Sequence, residues 1–315
     1  MRNHVIDELM NFASKDDRAF FVTADLGFNV VEKFRDAYPD RYLNVGISEQ
    51  NMCSVAAGLA LEGYMALTYS IGNFPTLRGI EQIRNNICYH NANVKIMSVG
   101  GGFAYGDLGM THHATEDIAM MRALPNMRVY VPSDEVDAVA CFKEAVSFDG
   151  PAFIRMARGK EAVFHEKGEI IDPSKLQRYT EVGSDINIIT CGTLLREGRK
   201  LQKKFEDCGI DAGLFSILRV KPLCSDEIKE LAKKSKLLIT MEEHNVVGGV
   251  GGAVAEALSE VEDKHAVLYR AGLQDTYTSK IGNQDYLRDY YGMNADKVFA
   301  HIMETYNYEN LHNRC

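Results

Sequence analysis

The sequence predicts a doubly wound α/β domain with a mainly parallel sheet, followed by a smaller α/β domain. Short runs of β-forming residues alternate with helical stretches along the first 160 residues. Most of these runs are continuously hydrophobic, as strands buried on both faces of a parallel sheet are. The alternation stops near residue 159 and starts again near residue 186, which indicates a second domain.

The first domain, which we assign to residues 1–160, is predicted to contain five strands and four helices. Its last helix is expected to begin at Ser133 and Asp134, because both residue types favour helix N-termini. The predicted strands are Phe20–Ala24, Met65–Tyr69, Val94–Val99, Arg128–Val131 and Ala152–Arg155, and the predicted helices cover residues 4–13, 50–61, 79–90 and 134–147.

Residues 161–185 are predicted to form a linker, because they lose periodicity and gather Gly168, Pro173 and Gly183. The second domain is assigned to residues 186–315. Its predicted strands are Ile186–Thr190, Gly213–Leu218, Lys236–Met241 and Ala266–Arg270, with a helix near 194–207 that Gly209 ends.

Composition and charge exclude several classes of function. The 315 residues carry a net charge of −9, whereas a nucleic-acid surface needs clustered Lys and Arg. The chain has no apolar run of about 18 residues, so we expect no membrane association. The amphipathic N-terminus and seven scattered cysteines predict a cytoplasmic protein with free thiols. Its nine histidines show no zinc-ligand spacing, so we expect no metal bound by this chain.

The stretch Asn44–Ala60 contains the most informative acid of the chain. Glu49 stands just ahead of a helical apolar stripe, and the small residues Ala56–Gly58 admit a closely packed neighbour. A carboxylate in the first turn of a helix commonly meets free backbone N–H groups and the positive end of the helix dipole. On local sequence alone, helix capping and a catalytic role are therefore about equally supported.

Two glycine-rich segments are candidates for ligand loops. Gly248–Gly252 follows a strand and opens a helix, but it lacks the Gly-x-Gly-x-x-Gly spacing, so close helix packing is the preferred explanation. Val99–His113 follows a strand and ends in two histidines, at the sheet edge where ligands of open α/β sheets bind. We predict a substrate loop with one functional and one structural histidine.

Several segments occur in the order and spacing seen in the C-terminal half of transketolases, which the chain resembles over nearly its whole length. The resemblance is specific in the first 160 residues and more diffuse afterwards. It implies a thiamine pyrimidine-binding domain and a C-terminal domain, the two parts that a split transketolase keeps on its second subunit. The segments are Thr23–Gly27, Gly46–Met52, Ala57–Ala60, Glu81–Arg84, Gly109–His112, Arg122–Met127 and Glu242–Gly252.

By this resemblance, Glu49 matches the family's catalytic glutamate, which hydrogen-bonds N1′ of thiamine diphosphate. A carboxyl group at N1′ favours the imino tautomer of the 4′-amino group, and that group then removes the proton from C2 of the thiazolium. The resemblance thus implies transfer of a two-carbon ketol unit between sugars. Burial beside an aromatic ring is expected to favour a neutral Glu49, whereas a capping carboxylate stays ionised.

Five further residues match site positions of the family. Asp25 aligns with an aspartate near the cofactor, and Phe74 is the candidate aromatic that stacks on the pyrimidine, although a core position explains Phe74 almost as well. His112 aligns with a histidine that contacts the ketol oxygens of the substrate and is assigned to catalysis. Arg2 and Arg158 align with residues that bind the sugar phosphate, a role that suits guanidinium because it forms bidentate hydrogen bonds with phosphate.

A missing motif predicts a partner. The family holds Mg²⁺ and diphosphate through a Gly-Asp-Gly signature, and the nearest run in this chain, Gly106–Leu108, lies in a different loop. The resemblance therefore implies that an N-terminal subunit holds the diphosphate and its Mg²⁺ or Ca²⁺, and that this chain alone is inactive. It also implies an α2β2 assembly in which this chain self-dimerises, with the apolar face of the helix after Glu49 as the expected contact surface.

Three departures from the family pattern concern the sugar. Leu108 stands where the family usually has an aspartate that hydrogen-bonds a sugar hydroxyl, and Met110 replaces the family's proline. Gly100 lies near the position where a phosphate-contacting histidine is expected. We therefore expect altered sugar specificity, toward a modified or nucleotide-linked acceptor. Three alternatives stay open: a pyruvate-dependent 1-deoxyxylulose-5-phosphate synthase, a β subunit of a 2-oxo acid dehydrogenase, and a non-catalytic assembly subunit.

Overall fold

A computed structural model describes residues 1–159, 161–166 and 168–306, which form two β-sheets covered by helices. Lys160, Lys167 and residues 307–315, the end of the predicted second domain, lie outside the described residues. The strands are β1 (Ala19–Thr23), β2 (Tyr42–Asn44), β3 (Met65–Ile71), β4 (Val94–Val99), β5 (Arg128–Tyr130), β6 (Ala152–Met156), β7 (Leu176–Arg178), β8 (Ile186–Thr190), β9 (Ala212–Ile217), β10 (Arg219–Lys221), β11 (Leu237–Asn245) and β12 (Val267–Leu273).

The α-helices surround both sheets. They are α1 (Arg2–Ala13), α2 (Glu32–Ala37), α3 (Glu49–Leu61), α4 (Ile80–Gln82), α5 (Asp117–Ala123), α6 (Glu135–Val146), α7 (Leu195–Asp207), α8 (Ser225–Lys233), α9 (Val250–Leu258), α10 (Gln284–Tyr290) and α11 (Ala295–Tyr306). π-Helical turns at Phe74–Arg78 and Ile83–Cys88 flank α4. The sequence predicts one regular helix over residues 79–90, so the first of these turns was not foreseen.

The first sheet has the strand order β10-β5-β6-β4-β3-β1-β2, and all neighbours are parallel except β10 and β5. One hydrophobic core lies between this sheet and the pair α1 and α6, and another includes residues of α3, α5 and the π-helical turns. Helices thus cover both faces, which confirms the doubly wound α/β prediction.

The second sheet has the order β12-β11-β8-β9-β7, and β7 is antiparallel to β9. β7 lies within residues 161–185, which the sequence predicts as a linker. β10 comes from the second half of the chain but pairs with β5 of the first sheet. Both strands have three residues, too few to give a periodic signal.

The glycine cluster Gly248–Gly252 allows α9 to pack directly on β11, as the sequence predicts. A Cβ atom on Gly249 would lie 2.0 Å from a carboxylate oxygen of Glu242. That carboxylate accepts hydrogen bonds from the backbone N–H groups of Val250 (2.6 Å) and Gly251 (2.9 Å). Within the described residues, no helix has the length and apolar character needed to cross a membrane.

Candidate active site

Glu49 is the first residue of α3, and its side chain is buried with 3% exposure. α3 turns Met52, Ala56 and Ala57 inward, where they are fully buried or nearly so. Part of the apolar face therefore packs within its own domain, while Leu61 in the last turn is 62% exposed. Contact with a second copy through this helix stays a prediction.

Both carboxylate oxygens of Glu49 accept hydrogen bonds from Nη1 of Arg78, at 3.0 and 3.1 Å. This partner differs from the backbone N–H groups that a helix-capping acid contacts. The sequence did not indicate Arg78 as the partner of this acid.

Arg78 also contacts Phe74. The two residues lie four positions apart in one π-helical segment, and the guanidinium carbon of Arg78 lies 4.2 Å from the centroid of the Phe74 ring. A planar cation at this distance over an aromatic face forms a cation–π interaction. One guanidinium group therefore links the buried acid to the half-buried ring.

His112 lies on the other side of Phe74. The two ring centroids are 5.2 Å apart with an edge-to-face angle of 64°. The short helical turn Met110–His112 is held in place by Asn73, whose Nδ2 donates to the backbone oxygens of Thr111 (3.2 Å) and His113 (2.6 Å). Asn73 thus fixes the substrate loop against the segment that carries Phe74.

Tyr105 connects His112 to the two predicted phosphate-binding arginines. Its ring lies 6.5 Å from the His112 ring, and the guanidinium carbon of Arg158 lies 4.8 Å from the Tyr105 ring centroid. Burial raises the pKa of Tyr105, while the nearby charges of Arg158 and Arg2 oppose this shift. The ring occupies the space next to Gly100, where an added Cβ would come within 2.0 Å of it. No side chain other than hydrogen therefore fits at position 100 unless Tyr105 moves.

These contacts form a continuous row from the buried acid to the arginines. The row joins four of the six predicted site residues; Arg2 lies near it, and Asp25 lies apart from it. Asp25 follows β1 in a left-handed conformation (φ 53°) and accepts a hydrogen bond from Nδ2 of Asn44 at 3.0 Å. The row consists of Glu49, Arg78, Phe74, His112, Tyr105 and Arg158, with Arg2 near Tyr105.

A cavity of about 580 Å³ opens beside Arg158. The second domain contributes Thr193, Asn283 and Arg288 to its lining, so a ligand that reaches it would contact both domains. Leu108 and Met110 lie on the substrate loop with exposures of 54% and 49%. They are accessible to a ligand or a partner.

One group of possible metal ligands occurs among the described residues, formed by Asp134, Asp137 and His165. Asp134 caps α6, because its Oδ1 accepts hydrogen bonds from the N–H groups of Val136 and Asp137. Its Oδ2 accepts a further hydrogen bond from the N–H of Phe164 at 2.9 Å. The group has a structural explanation, and we assign it no role in holding magnesium.

The fold and the row of contacts define a two-domain α/β enzyme subunit with a buried acid at the start of a helix. A family model described as the pyrimidine-binding domain of transketolase matches residues 1–161, and a model of the transketolase C-terminal domain matches residues 174–298. The chain therefore belongs to the transketolase family, as a C-terminal subunit that carries these two domains. Members of this family depend on thiamine diphosphate and are transferases.

Individual relatives agree with this assignment. A putative transketolase C-terminal section from Methanocaldococcus jannaschii is 33% identical, over 96% of this chain and 95% of the relative. A 6-deoxy-6-sulfo-D-fructose transketolase subunit from Clostridium sp. is 31% identical, over 95% and 92%. A structure described as a split gene transketolase, inactive beta4 tetramer, superposes with a TM-score of 0.85 at 32% identity, over 96% of both chains. A 1-deoxy-D-xylulose-5-phosphate synthase from Heliobacterium modesticaldum is 31% identical, over 93% of this chain but 45% of the synthase.

The sequence interpretation missed three residues of the row and its surroundings: Arg78, Asn73 and Tyr105. A signal existed for Arg78, because it follows Phe74 by four residues, a spacing that brings side chains together on a helix. No comparable local signal exists for Tyr105, whose position depends on the path of the glycine-rich loop.

Proposed function

We propose that this chain binds the pyrimidine end of thiamine diphosphate and activates it through Glu49, which shares a proton with N1′. Phe74 stacks on the pyrimidine, and Asp25 lies near the cofactor at the end of β1. When bound, the cofactor supplies the carbanion chemistry of ketol transfer. The observation that carries this proposal is the buried carboxylate of Glu49 at one end of a row of side chains that leads to Arg158.

The substrate site follows from the other end of the row. His112 contacts the ketol oxygens and acts in catalysis, while Arg2 and Arg158 bind the anionic end of the sugar. Guanidinium groups pair with tetrahedral oxyanions, so the anion is a phosphate or, as the name of the Clostridium relative suggests, a sulfonate. The substrates are therefore phosphorylated or otherwise modified sugars.

We also propose that a separate N-terminal subunit holds the diphosphate with Mg²⁺ or Ca²⁺, in a cytoplasmic α2β2 heterotetramer. The family models that match this chain describe the pyrimidine-binding and C-terminal domains. This supports the proposal that the diphosphate is held by another subunit. The description of the related beta4 tetramer as inactive agrees with a requirement for that partner. The outward face of α3 suits close subunit contact, since a Cβ atom on Gly58 would meet nothing within 4 Å.

The proposal is tested by mixing the chain with the N-terminal subunit and comparing donors. Ketol transfer from a ketose phosphate or a ketose sulfonate supports it. Condensation of pyruvate with an aldose phosphate would favour the synthase alternative, to which the Heliobacterium modesticaldum relative corresponds. Oxidation of pyruvate with a lipoyl acceptor would favour a 2-oxo acid dehydrogenase subunit, and a pair that binds no cofactor would favour an assembly role.

Leu108 is expected to set the sugar preference. Replacing Leu108 by Asp restores the hydrogen-bonding group that the family uses to read a sugar hydroxyl. We expect kcat/KM for ordinary pentose phosphates to rise about tenfold relative to kcat/KM for the native substrate. The reason is that a sugar hydroxyl left without its hydrogen-bond partner costs about 1–3 kcal/mol. The measurement is the ratio of kcat/KM values for the two substrates. A Leu108→Val variant serves as the control, and an equal rise in that variant would contradict a role for the carboxylate.

Arg78 is expected to compete with the aminopyrimidine, because it already contacts both Glu49 and the Phe74 ring. Replacing Arg78 by Met should therefore tighten thiamine diphosphate binding to the reconstituted pair about threefold to tenfold, as expected for a half-exposed ion pair with a cation–π contact. The dissociation constant from isothermal titration calorimetry is the measurement. Arg35→Met, at an exposed arginine paired with Asp36, is the control. Weaker binding by Arg78→Met would instead make Arg78 a cofactor ligand.

A further inference from the structure

The second domain holds the substrate loop at several points. The ring of Phe103 is fully buried in a small core with Leu273, Leu287 and Met293. Its backbone N–H donates to Oε1 of Glu243, which lies in β11, at 2.6 Å. Because both an apolar side chain and a backbone donor of the loop are bound by the second domain, its position depends on that domain.

His113 forms another of these contacts. Its side chain is 2% exposed, with Nδ1 2.6 Å from the hydroxyl of Thr278 and Nε2 3.3 Å from the backbone oxygen of Gly106. Burial lowers the pKa of His113, so the neutral imidazole is the form to consider at pH 7. Nε2 faces a carbonyl group, which can only accept, so Nε2 carries the proton. Nδ1 then accepts the hydrogen bond from the Thr278 hydroxyl.

This arrangement affects His112, the adjacent residue. The backbone oxygen of His113 accepts a hydrogen bond from Asn73, and the ring of His112 packs against Phe74 in the first domain. Asn73 of the first domain thus fixes the backbone of His113, while Thr278 of the second domain fixes its side chain. Loss of the Thr278 hydroxyl would leave Nδ1 of a buried histidine without its donor, which favours a different orientation of the ring.

We propose that Thr278 is a positioning residue, which acts through His113 to orient His112 toward the substrate. The inference rests on the proposed function in one respect, the role of His112 in contacting the ketol oxygens. It gives the second domain an indirect part in catalysis, since Thr278 lies between β12 and α10 of that domain.

The test compares Thr278→Val, which keeps the shape and loses the hydroxyl, with Thr278→Ser, which keeps the hydroxyl. In the reconstituted enzyme we expect Val to lower kcat/KM for the ketose donor about tenfold or more and Ser to stay within about threefold of wild type. Both variants should bind thiamine diphosphate as wild type does. Equal loss in both variants, or weakened cofactor binding with Val, would overturn the proposal.

A second readout does not depend on turnover. The side-chain nitrogen resonances of His112 and His113 can be measured by NMR in the full chain labelled at histidine. We expect Thr278→Val to shift the resonances of both histidines, and Thr278→Ser to leave them in place. Unchanged His112 resonances in Thr278→Val would overturn the positioning role. A wild-type pair that transfers no ketol unit would instead count against the proposed function.

Discussion

Replacing Glu49 by Gln or Ala is expected to lower kcat of the reconstituted enzyme by about 10²- to 10⁴-fold, the range typical for removal of an essential acid–base group. The amide of Gln keeps the size of the side chain but cannot share a proton with N1′. The fold should survive, because the pairing partner Arg78 is half exposed and solvent can hydrate it once the carboxylate is gone. The measurements are kcat under saturating cofactor and the thermal unfolding temperature of each variant.

A matched control lies at the other end of the same helix. Glu62 is the C-cap residue of α3 and is exposed, so Glu62→Gln removes an acid from this helix region without touching the row of contacts. We expect this variant to retain wild-type kcat. Substantial turnover by Glu49→Gln, at a level similar to Glu62→Gln, would refute the assignment of Glu49.

Replacing Arg155 by Met is expected to lower the free energy of unfolding by about 3–5 kcal/mol, because it leaves a buried charge without its partner. Nε of Arg155 donates to Oδ2 of Asp117 at 2.8 Å, and their side chains are 7% and 1% exposed. Nη2 of Arg155 also donates to the backbone oxygens of Ala114 (2.8 Å) and Glu243 (3.0 Å), which belong to different domains. Urea denaturation monitored by circular dichroism gives the measurement.

The control for this prediction is an exposed ion pair. Lys33 and Asp7 lie 2.8 Å apart with exposures of 68% and 57%, so Lys33→Met should change stability by less than about 1 kcal/mol. The double variant Arg155→Met with Asp117→Asn removes both charges and should recover part of the loss. A loss below about 1 kcal/mol for Arg155→Met alone would contradict the account of this ion pair.

The strands whose bounds the sequence predicts correctly have mostly hydrophobic runs. β4 and β8 begin and end where predicted, because each lies in the interior of its sheet and is buried along its whole length. β2, β7 and β10 were missed, and each is a three-residue strand at the edge of a sheet. Their pairing is decided by the neighbouring strand and not by their own residues.

The candidate site could be predicted from the sequence only in part. Glu49 and His112 could be proposed because they stand in segments that resemble a known family, and the structure connects them through Phe74. The spacing of Arg78 from Phe74 could have indicated their contact, but the pairing of Arg78 with Glu49 and the contact of Tyr105 with Arg158 join distant segments and could not be predicted. The hydrogen bond between Thr278 and His113 joins residues 165 positions apart. The proposed role of Thr278 could therefore be recognised only from the three-dimensional structure.

The most direct test of the central claim, that Glu49 activates a cofactor held jointly with another subunit, is hydrogen–deuterium exchange at C2 of thiamine diphosphate, followed by proton NMR. The measurement is made with this chain alone, with the N-terminal subunit alone and with both, using wild type and Glu49→Gln. The account predicts rapid exchange only in the wild-type pair. Rapid exchange with this chain alone, or undiminished exchange in the pair that contains Glu49→Gln, would contradict it.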